Sequence, residues 1–250
     1  FGKNVHVYSP AYTPATFKKL LNYSSHIVMN SFAQWKRLKH LASLSETLKI
    51  GIRVNPHYSE VKNTMYNPCS LSSRFGVSSE TLNSENLDGI SGLHFHALCQ
   101  QPFEVLERVW SEIESKFEQA LYQLSWVNLG GGHYLTHPDY DIKKLITFVN
   151  KIQKKYNISV YMEPGEAVVY KSGFLVTSVL DLGDSNPSYA IVDVSASAHM
   201  PDILEMPYRP TILNECSESN NNFKYSIGGP TCLSGDIIGN YSFSDKLKIG

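Results

Sequence analysis

Four short stretches hold residues whose types and spacing could do chemistry. In Ile227-Gly-Gly-Pro-Thr-Cys-Leu-Ser-Gly-Asp236, a thiol, Cys232, and a carboxylate, Asp236, stand four residues apart among glycine and proline. So many bending residues define a sharply shaped loop that positions something, or else a plain turn around a buried cysteine. Leu129-Gly-Gly-Gly-His133 follows an apolar run. Its glycines Gly130, Gly131 and Gly132 either offer backbone N–H groups to a phosphate or simply make a tight turn. Met162-Glu-Pro-Gly-Glu166 closes the next apolar run, sending Glu163 inward, where a carboxylate is costly unless something basic meets it. In His94-Phe-His96, strand alternation turns both imidazoles to one face, where a metal or a flat ring could be the target.

The elements that must position these residues form a regular series. Runs at Val5–Ser9, His26–Asn30, Ile50–Asn55, Gly92–Ala97, Trp126–Gly130 and Val160–Gly165 read as strands, and most precede a helical pattern. The clearest helix opens at Pro102 and runs to about Tyr122, with Phe103, Leu106, Val109, Trp110, Ile113 and Phe117 on one stripe. A second, Ile142–Tyr156, turns Leu145, Ile146, Val149 and Ile152 inward. Six such steps imply a parallel sheet, either open and doubly wound or closed into an eight-stranded barrel. An open sheet gathers its ligand residues at one or two switch points; here Asn30, Asn55, His96, Gly130–Gly132 and Glu163 spread over five strand ends, which favours the barrel. Completing eight strands would place two more, roughly 60 to 70 residues, ahead of Phe1.

The expected fold is therefore α/β: a partial (β/α)8 barrel over residues 1–170, its first two strands missing, then an incomplete antiparallel β domain over 171–250. In the second part Phe174–Leu182, Ser188–Ala196, Tyr208–Glu215 and Asn222–Gly229 read as strands with no helix between them, and Asp245–Gly250 as a strand leading into a turn.

With 250 residues, 42% hydrophobic and 18% charged, the chain can bury one large core or two unequal ones. A net charge of −1 without any basic block speaks against nucleic acid and membrane surfaces as partners, which leaves small molecules. No apolar run approaches the ~18 residues of a spanning helix, and the first residues lack a signal-peptide pattern, so a cytoplasmic protein is expected. Cys69, Cys99, Cys216 and Cys232 are widely spaced with no C-x-x-C pair, which argues against a zinc ribbon and against a disulfide framework.

In order along the chain, GLHFHALCQQ, LGGGH, MEPGE and GPTCLSGD resemble the pyridoxal-phosphate decarboxylases of the alanine-racemase-like fold, the group holding ornithine, diaminopimelate and arginine decarboxylases. HALC, EPGEA, HMPDILEMPYRP and GPTCLSGD extend the resemblance over the whole chain to the branch acting on carboxynorspermidine and carboxyspermidine in polyamine biosynthesis. The resemblance implies pyridoxal 5'-phosphate as cofactor, with His96 stacked on its ring, Gly130, Gly131 and Gly132 at its phosphate, and Glu163 at its pyridine nitrogen. A carboxylate there keeps the nitrogen protonated and makes the ring an electron sink. Arg53 matches an arginine near the cofactor. Cys232 matches a cysteine that donates a proton in the partner subunit's site, which implies a homodimer with shared active sites. A polyamine substrate carries cationic amines far from its reacting end, and Glu166, Asp202 and Asp236 are the carboxylates expected to meet it. The plainer readings are a solvated loop residue for Glu166 and a helix N-cap for Asp202.

The sequence departs from the family pattern in four places. The lysine that carries the cofactor belongs to the family's first barrel strand and has no counterpart here; Lys49 precedes its strand and would lie at the wrong end. The tyrosine that supports the phosphate falls beyond Gly250. Leu233 stands where relatives place an acid after the cysteine, and Glu166 stands where EPGR would place a cation; both fit a changed substrate. The missing lysine sustains one alternative, a non-catalytic relative or fragment, and implies that these 250 residues alone do not release carbon dioxide at a family-like rate. A metal-dependent barrel hydrolase built on His94 and His96 is another, but it needs further ligands and leaves the glycine turn without a role.

Overall fold

The computed structural model describes residues 4–217 and 223–250, which fall into two compact units, Phe1–Tyr170 and Lys171–Gly250. In the first unit, strands β1 (Val5–Tyr8), β2 (Ser24–Met29), β3 (Lys49–Arg53), β4 (Gly92–His94), β5 (Trp126–Asn128) and β6 (Ser159–Tyr161) pair in sequence order. Every pair is parallel. Parallel neighbours require a crossover, and helices supply it: α1 (Pro14–Leu20), α2 (Phe32–Ala42), α3 (Ser79–Ser84), α4 (Phe103–Leu121) and α5 (Ile142–Tyr156), with α6 (Gly165–Val169) after the last strand.

Alternation along each strand sorts its side chains into two layers. Ile27, Met29, Ile52, Leu93, Phe95, Val127 and Leu129 are fully buried in one cluster with the helical residues Leu38, Leu106, Ile113 and Phe117. The alternate positions meet on the other face. His6 of β1 lies 4.4 Å from Tyr161 of β6, centroid to centroid, although these strands are the two edges of the sheet. The sheet is therefore curled into a half-barrel with an interior. Trp126 fills its lower part because β3 and β4 carry glycine there: a Cβ on Gly51 would sit 2.3 Å, and on Gly92 2.0 Å, from the indole.

The α4 stripe is buried along its whole length, but the α5 stripe differs from the expected one. Ile146 is 55% exposed, while Phe148 packs edge-on against Phe103 and Trp110 at 5.6 and 6.1 Å. Leu145, Phe148, Ile152 and Tyr156 follow the helical period, and Ile146 lies about 100° off it. Asp141 caps the start of α5 by accepting from the Lys144 amide, and Asn157 closes it in the left-handed conformation.

In the second unit β7 (Val179–Gly183), β8 (Ser188–Val192), β9 (Phe223–Gly228) and β10 (Ile237–Phe243) form a sheet in the order β10-β9-β8-β7. It is mixed, which corrects the antiparallel expectation. The pairs β7–β8 and β9–β10 are antiparallel, but β8–β9 is parallel. A parallel pair needs a long connection, and the segment between these strands includes two short helices, α7 (Ala196–His199) and α8 (Asp202–Glu205), where none was expected. Tyr208–Glu215 and Asp245–Gly250 form no strand; Pro207 and Pro210 flank Tyr208 and cannot donate to a ladder. Strand β10 was hidden by Gly239, which marks a register shift at φ +157°. Asn222, expected to open β9, lies outside the described residues.

Candidate active site

All six parallel strands deliver their C-terminal ends to one edge, so Asn30, Asn55, His96, Gly130 and Glu163 follow β2, β3, β4, β5 and β6 by one or two residues. Three of these loops are tied into one unit. Asn128, the last residue of β5, donates from Nδ2 to Glu163 Oε1 at 2.8 Å and accepts the Gly130 amide at 2.9 Å. The Gly131 amide donates to His96 Nδ1 at 3.3 Å. The Gly130 carbonyl accepts from the Glu163 amide and from the buried His133 Nε2. Two of the three glycine amides are thus engaged inside the protein. The turn is glycine because the backbone passes close to its neighbours: Gly130 and Gly132 have φ of +70° and +79°, and a Cβ on Gly132 would sit 2.1 Å from the Leu98 carbonyl oxygen.

Below this turn, Glu163 Oε2 lies 3.7 Å from Nε2 of the fully buried His94 and 3.9 Å from His96 Nδ1. Burial pushes the Glu163 carboxyl up, but His94 and His96 outweigh it and hold the group well below the usual carboxylate range. It is ionised at neutral pH. His94 shifts the other way, since burial favours its neutral ring, and neither of its ring nitrogens has a hydrogen-bond partner. Arg53, at the end of β3, is 5% exposed. Its guanidinium sits 4.6 Å from the ring centroids of both Tyr8 and Phe75 and donates to the His96 carbonyl at 3.4 Å.

Glu166 is not a solvated loop residue. Its Oε1 accepts from Thr136 Oγ1 at 2.8 Å and its Oε2 from Gln100 Nε2 at 3.1 Å. One carboxylate therefore joins the loops after β4 and β5 to α6, and Gln100 adopts φ +47° at this point. Lys49 lines a separate cavity with His6, His26 and Tyr161, at the opposite end of the strands.

In the second unit, Cys232 is exposed in the loop between β9 and β10. Asp236, in the same loop, is 2% exposed. Asp202 is the exposed first residue of α8; Pro201 holds the N-cap position and Asp202 makes no capping hydrogen bond, so the N-cap reading is corrected. Burial, with the Asp202 carboxylate adding to it, pushes the Tyr208 hydroxyl up to about 12.

The structure thus gathers His96, Gly130–Gly132, Glu163, Glu166 and Arg53 at one strand edge, and places Cys232 and Asp236 together in a loop of the other unit. Sequence reasoning did not single out Asn128, Tyr8 or His133 for this edge. Asn128 and Tyr8 carried a readable signal, each being a polar or hydroxylated residue on the inward alternation of an apolar strand. His133 carried none beyond its adjacency to the glycines.

The arrangement suits a flat phosphorylated ring. The glycine turn carries no side chain and has room for none, since a Cβ on Gly131 would lie 2.6 Å from the Glu163 carbonyl oxygen and 3.2 Å from His96 Cε1. An ionised carboxylate lies beside the turn, and His94 brings unpartnered ring nitrogens next to it. The ligand atoms of His94, His96 and Glu163 lie within 4.8 Å of one another, a spacing that a metal ion could also use. A parallel half-barrel sheet whose strand ends carry a histidine, a glycine turn and an ionised carboxylate is the arrangement of an enzyme site that can hold a pyridoxal cofactor. The chain belongs to the pyridoxal-dependent decarboxylase family: the family model described as pyridoxal-dependent decarboxylase, C-terminal sheet domain, matches residues 5–250.

Among its relatives, the carboxynorspermidine/carboxyspermidine decarboxylase of Campylobacter jejuni is 40% identical over 99% of this chain and 67% of its own length. The carboxyaminopropylagmatine decarboxylase of Synechocystis is also 40% identical, over 100% of this chain and 65% of its own. The crystal structure of the C. jejuni carboxynorspermidine decarboxylase with norspermidine superposes with a TM-score of 0.84 at 38% identity, covering 98% of this chain and 66% of that one. The chain spans about two thirds of the length of these relatives.

Proposed function

We propose that the protein is a pyridoxal 5'-phosphate-dependent decarboxylase that converts carboxynorspermidine and carboxyspermidine to norspermidine and spermidine. The observation that carries this reading is the 40% identity to the C. jejuni enzyme over 99% of the chain, joined to a strand-edge site whose ring, glycine turn and carboxylate fit the cofactor. When bound, the cofactor ring supplies an electron sink for the carbanion left as carbon dioxide departs. His96 stacks on that ring, held by the Gly131 amide. The Gly130–Gly132 turn receives the phosphate. Glu163, kept ionised and oriented by Asn128, holds a proton on the ring nitrogen. Arg53 adds a buried positive charge beside the site. Cys232 donates the proton that replaces the lost carboxyl group, in the partner's site of a homodimer. Glu166 and Asp202 attract the distal ammonium groups of the substrate, Glu166 being held by two neutral donors that leave its charge uncompensated. The free thiols suit a cytoplasmic enzyme.

A second reading rests on the equal identity to the Synechocystis enzyme: a substrate with a guanidinium in place of the distal amine. Comparing kcat/KM of the full-length protein for carboxynorspermidine, carboxyspermidine and carboxyaminopropylagmatine separates the two. Highest values on the first two support the primary reading; highest on the third transfers the assignment; turnover of none contradicts both.

A further inference from the structure

We propose that Asp236 is a positioning residue, which fastens the Cys232 loop to the α7 turn and so sets where the thiol is presented. Its Oδ1 accepts from the Ala196 amide at 2.7 Å, from Ser195 Oγ at 3.1 Å and from the Ser197 amide at 3.3 Å. Its Oδ2 accepts from Thr231 Oγ1 at 2.6 Å. A carboxylate has about four lone-pair positions, so these donors occupy the oxygens that the sequence assigned to substrate. The main chain repeats the tie: the Gly229 amide donates to the Asp236 carbonyl and the Asp236 amide to the Leu233 carbonyl, both at 2.9 Å. Gly229 is required for the close approach, because a Cβ there would lie 2.4 Å from Asp236 Oδ2 and 2.7 Å from Ser195 Cα.

The loop is thus held at both ends around an exposed crest. Thr231, one residue before Cys232, is bonded to the carboxylate, and Asp236 closes the other end. Neither residue is placed where it must touch substrate. The carboxylate fixes Thr231, Thr231 fixes the chain at Cys232, and the surrounding residues 230–235 remain exposed.

The consequence for catalysis rests on the reading of Cys232 as proton donor, and the test separates the two claims. In the full-length protein, Asp236→Asn and Thr231→Val should each lower kcat by roughly ten- to a hundredfold, the scale expected when a reacting group is displaced by about an ångström. KM and cofactor absorbance should not change, and Thr231→Ser, which keeps the hydroxyl, should retain the rate. In a Cys232→Ala background the same substitutions should add less than about twofold, because they act through the thiol already removed. Fully additive losses overturn the proposal. Amide hydrogen exchange of residues 231–235 provides the independent arm: Asp236→Asn and Thr231→Val should accelerate it about tenfold or more, and unchanged exchange overturns the proposal whatever the rates do. If Cys232→Ala alone keeps the full rate, the proton-donor reading falls while the exchange result still decides the positioning role.

Discussion

His133 shows how a single side chain in the site becomes a property of the whole protein. Burial drives its ring from its ordinary 6.5 down to about 4, outweighing the hydrogen bond to the Gly130 carbonyl, with His96 pushing the same way and Glu163 opposing. The unfolded chain binds a proton near pH 6.5 and the folded one only near pH 4, so this contribution is complete above the first value and lost as pH falls towards the second. At pH 5 the loss amounts to about 2 kcal/mol. Urea denaturation at pH 7 and pH 5 should show a loss of stability that shrinks by about that amount in His133→Gln; an unchanged loss would mean that the ring is already charged. At Glu166 and Asp202 the expected effect is kinetic. A carboxylate bound to an ammonium contributes about 1.5–3 kcal/mol, so Glu166→Gln and Asp202→Asn should each lower kcat/KM for the polyamine substrate roughly ten- to a hundredfold with normal cofactor absorbance. Unchanged kinetics in both would remove them from the site. The reactive types at the strand ends could be read from sequence because alternation and strand order place them. Of the partners that orient them, Asn128 was legible by the same alternation, as a polar residue facing inward from an apolar strand, whereas His133 was not, because its contact with the Gly130 carbonyl depends on how the glycine turn folds.

Among the elements, the half-barrel depends on matching a large residue to two absent ones. Trp126 occupies the room above Gly51 and Gly92, so Gly92→Ala should destabilise the first unit by about 1–3 kcal/mol or more through overpacking. Pairing it with Trp126→Phe should recover part of that loss in thermal or urea unfolding; equal loss in the single and double variants would show that the clash lies elsewhere. The α/β series was legible because each strand is short, branched and followed by an amphipathic helix. The β-sheet unit was less so. Its parallel β8–β9 pair depends on which strands meet across the intervening segment, and no local pattern states that. Strand β10 was lost for a local reason, the glycine at its bulge. Ile146 is apolar but rotated about 100° off the buried stripe of α5, and Phe148, three residues beyond Leu145, reaches Phe103 and Trp110 instead.

At the scale of the whole molecule, the reading requires two chains. If Cys232 serves the partner's site, mixing a Glu163→Gln variant with a Cys232→Ala variant should restore about one wild-type site per heterodimer. Heterodimers that form without regaining activity would place the cysteine at its own chain's site. The central claim, that a cofactor ring is held at the strand edge with its nitrogen on Glu163, has a more direct measurement. In Glu163→Gln the side chain keeps its size and its place beside Asn128 but loses its charge, so the full-length variant should bind pyridoxal 5'-phosphate with normal stoichiometry by absorbance. Its kcat for carboxynorspermidine should fall by about a hundredfold or more, the scale for removing one charge-stabilising group from a reaction centre. A Glu163→Gln enzyme with its cofactor bound and its kcat unchanged would contradict the account.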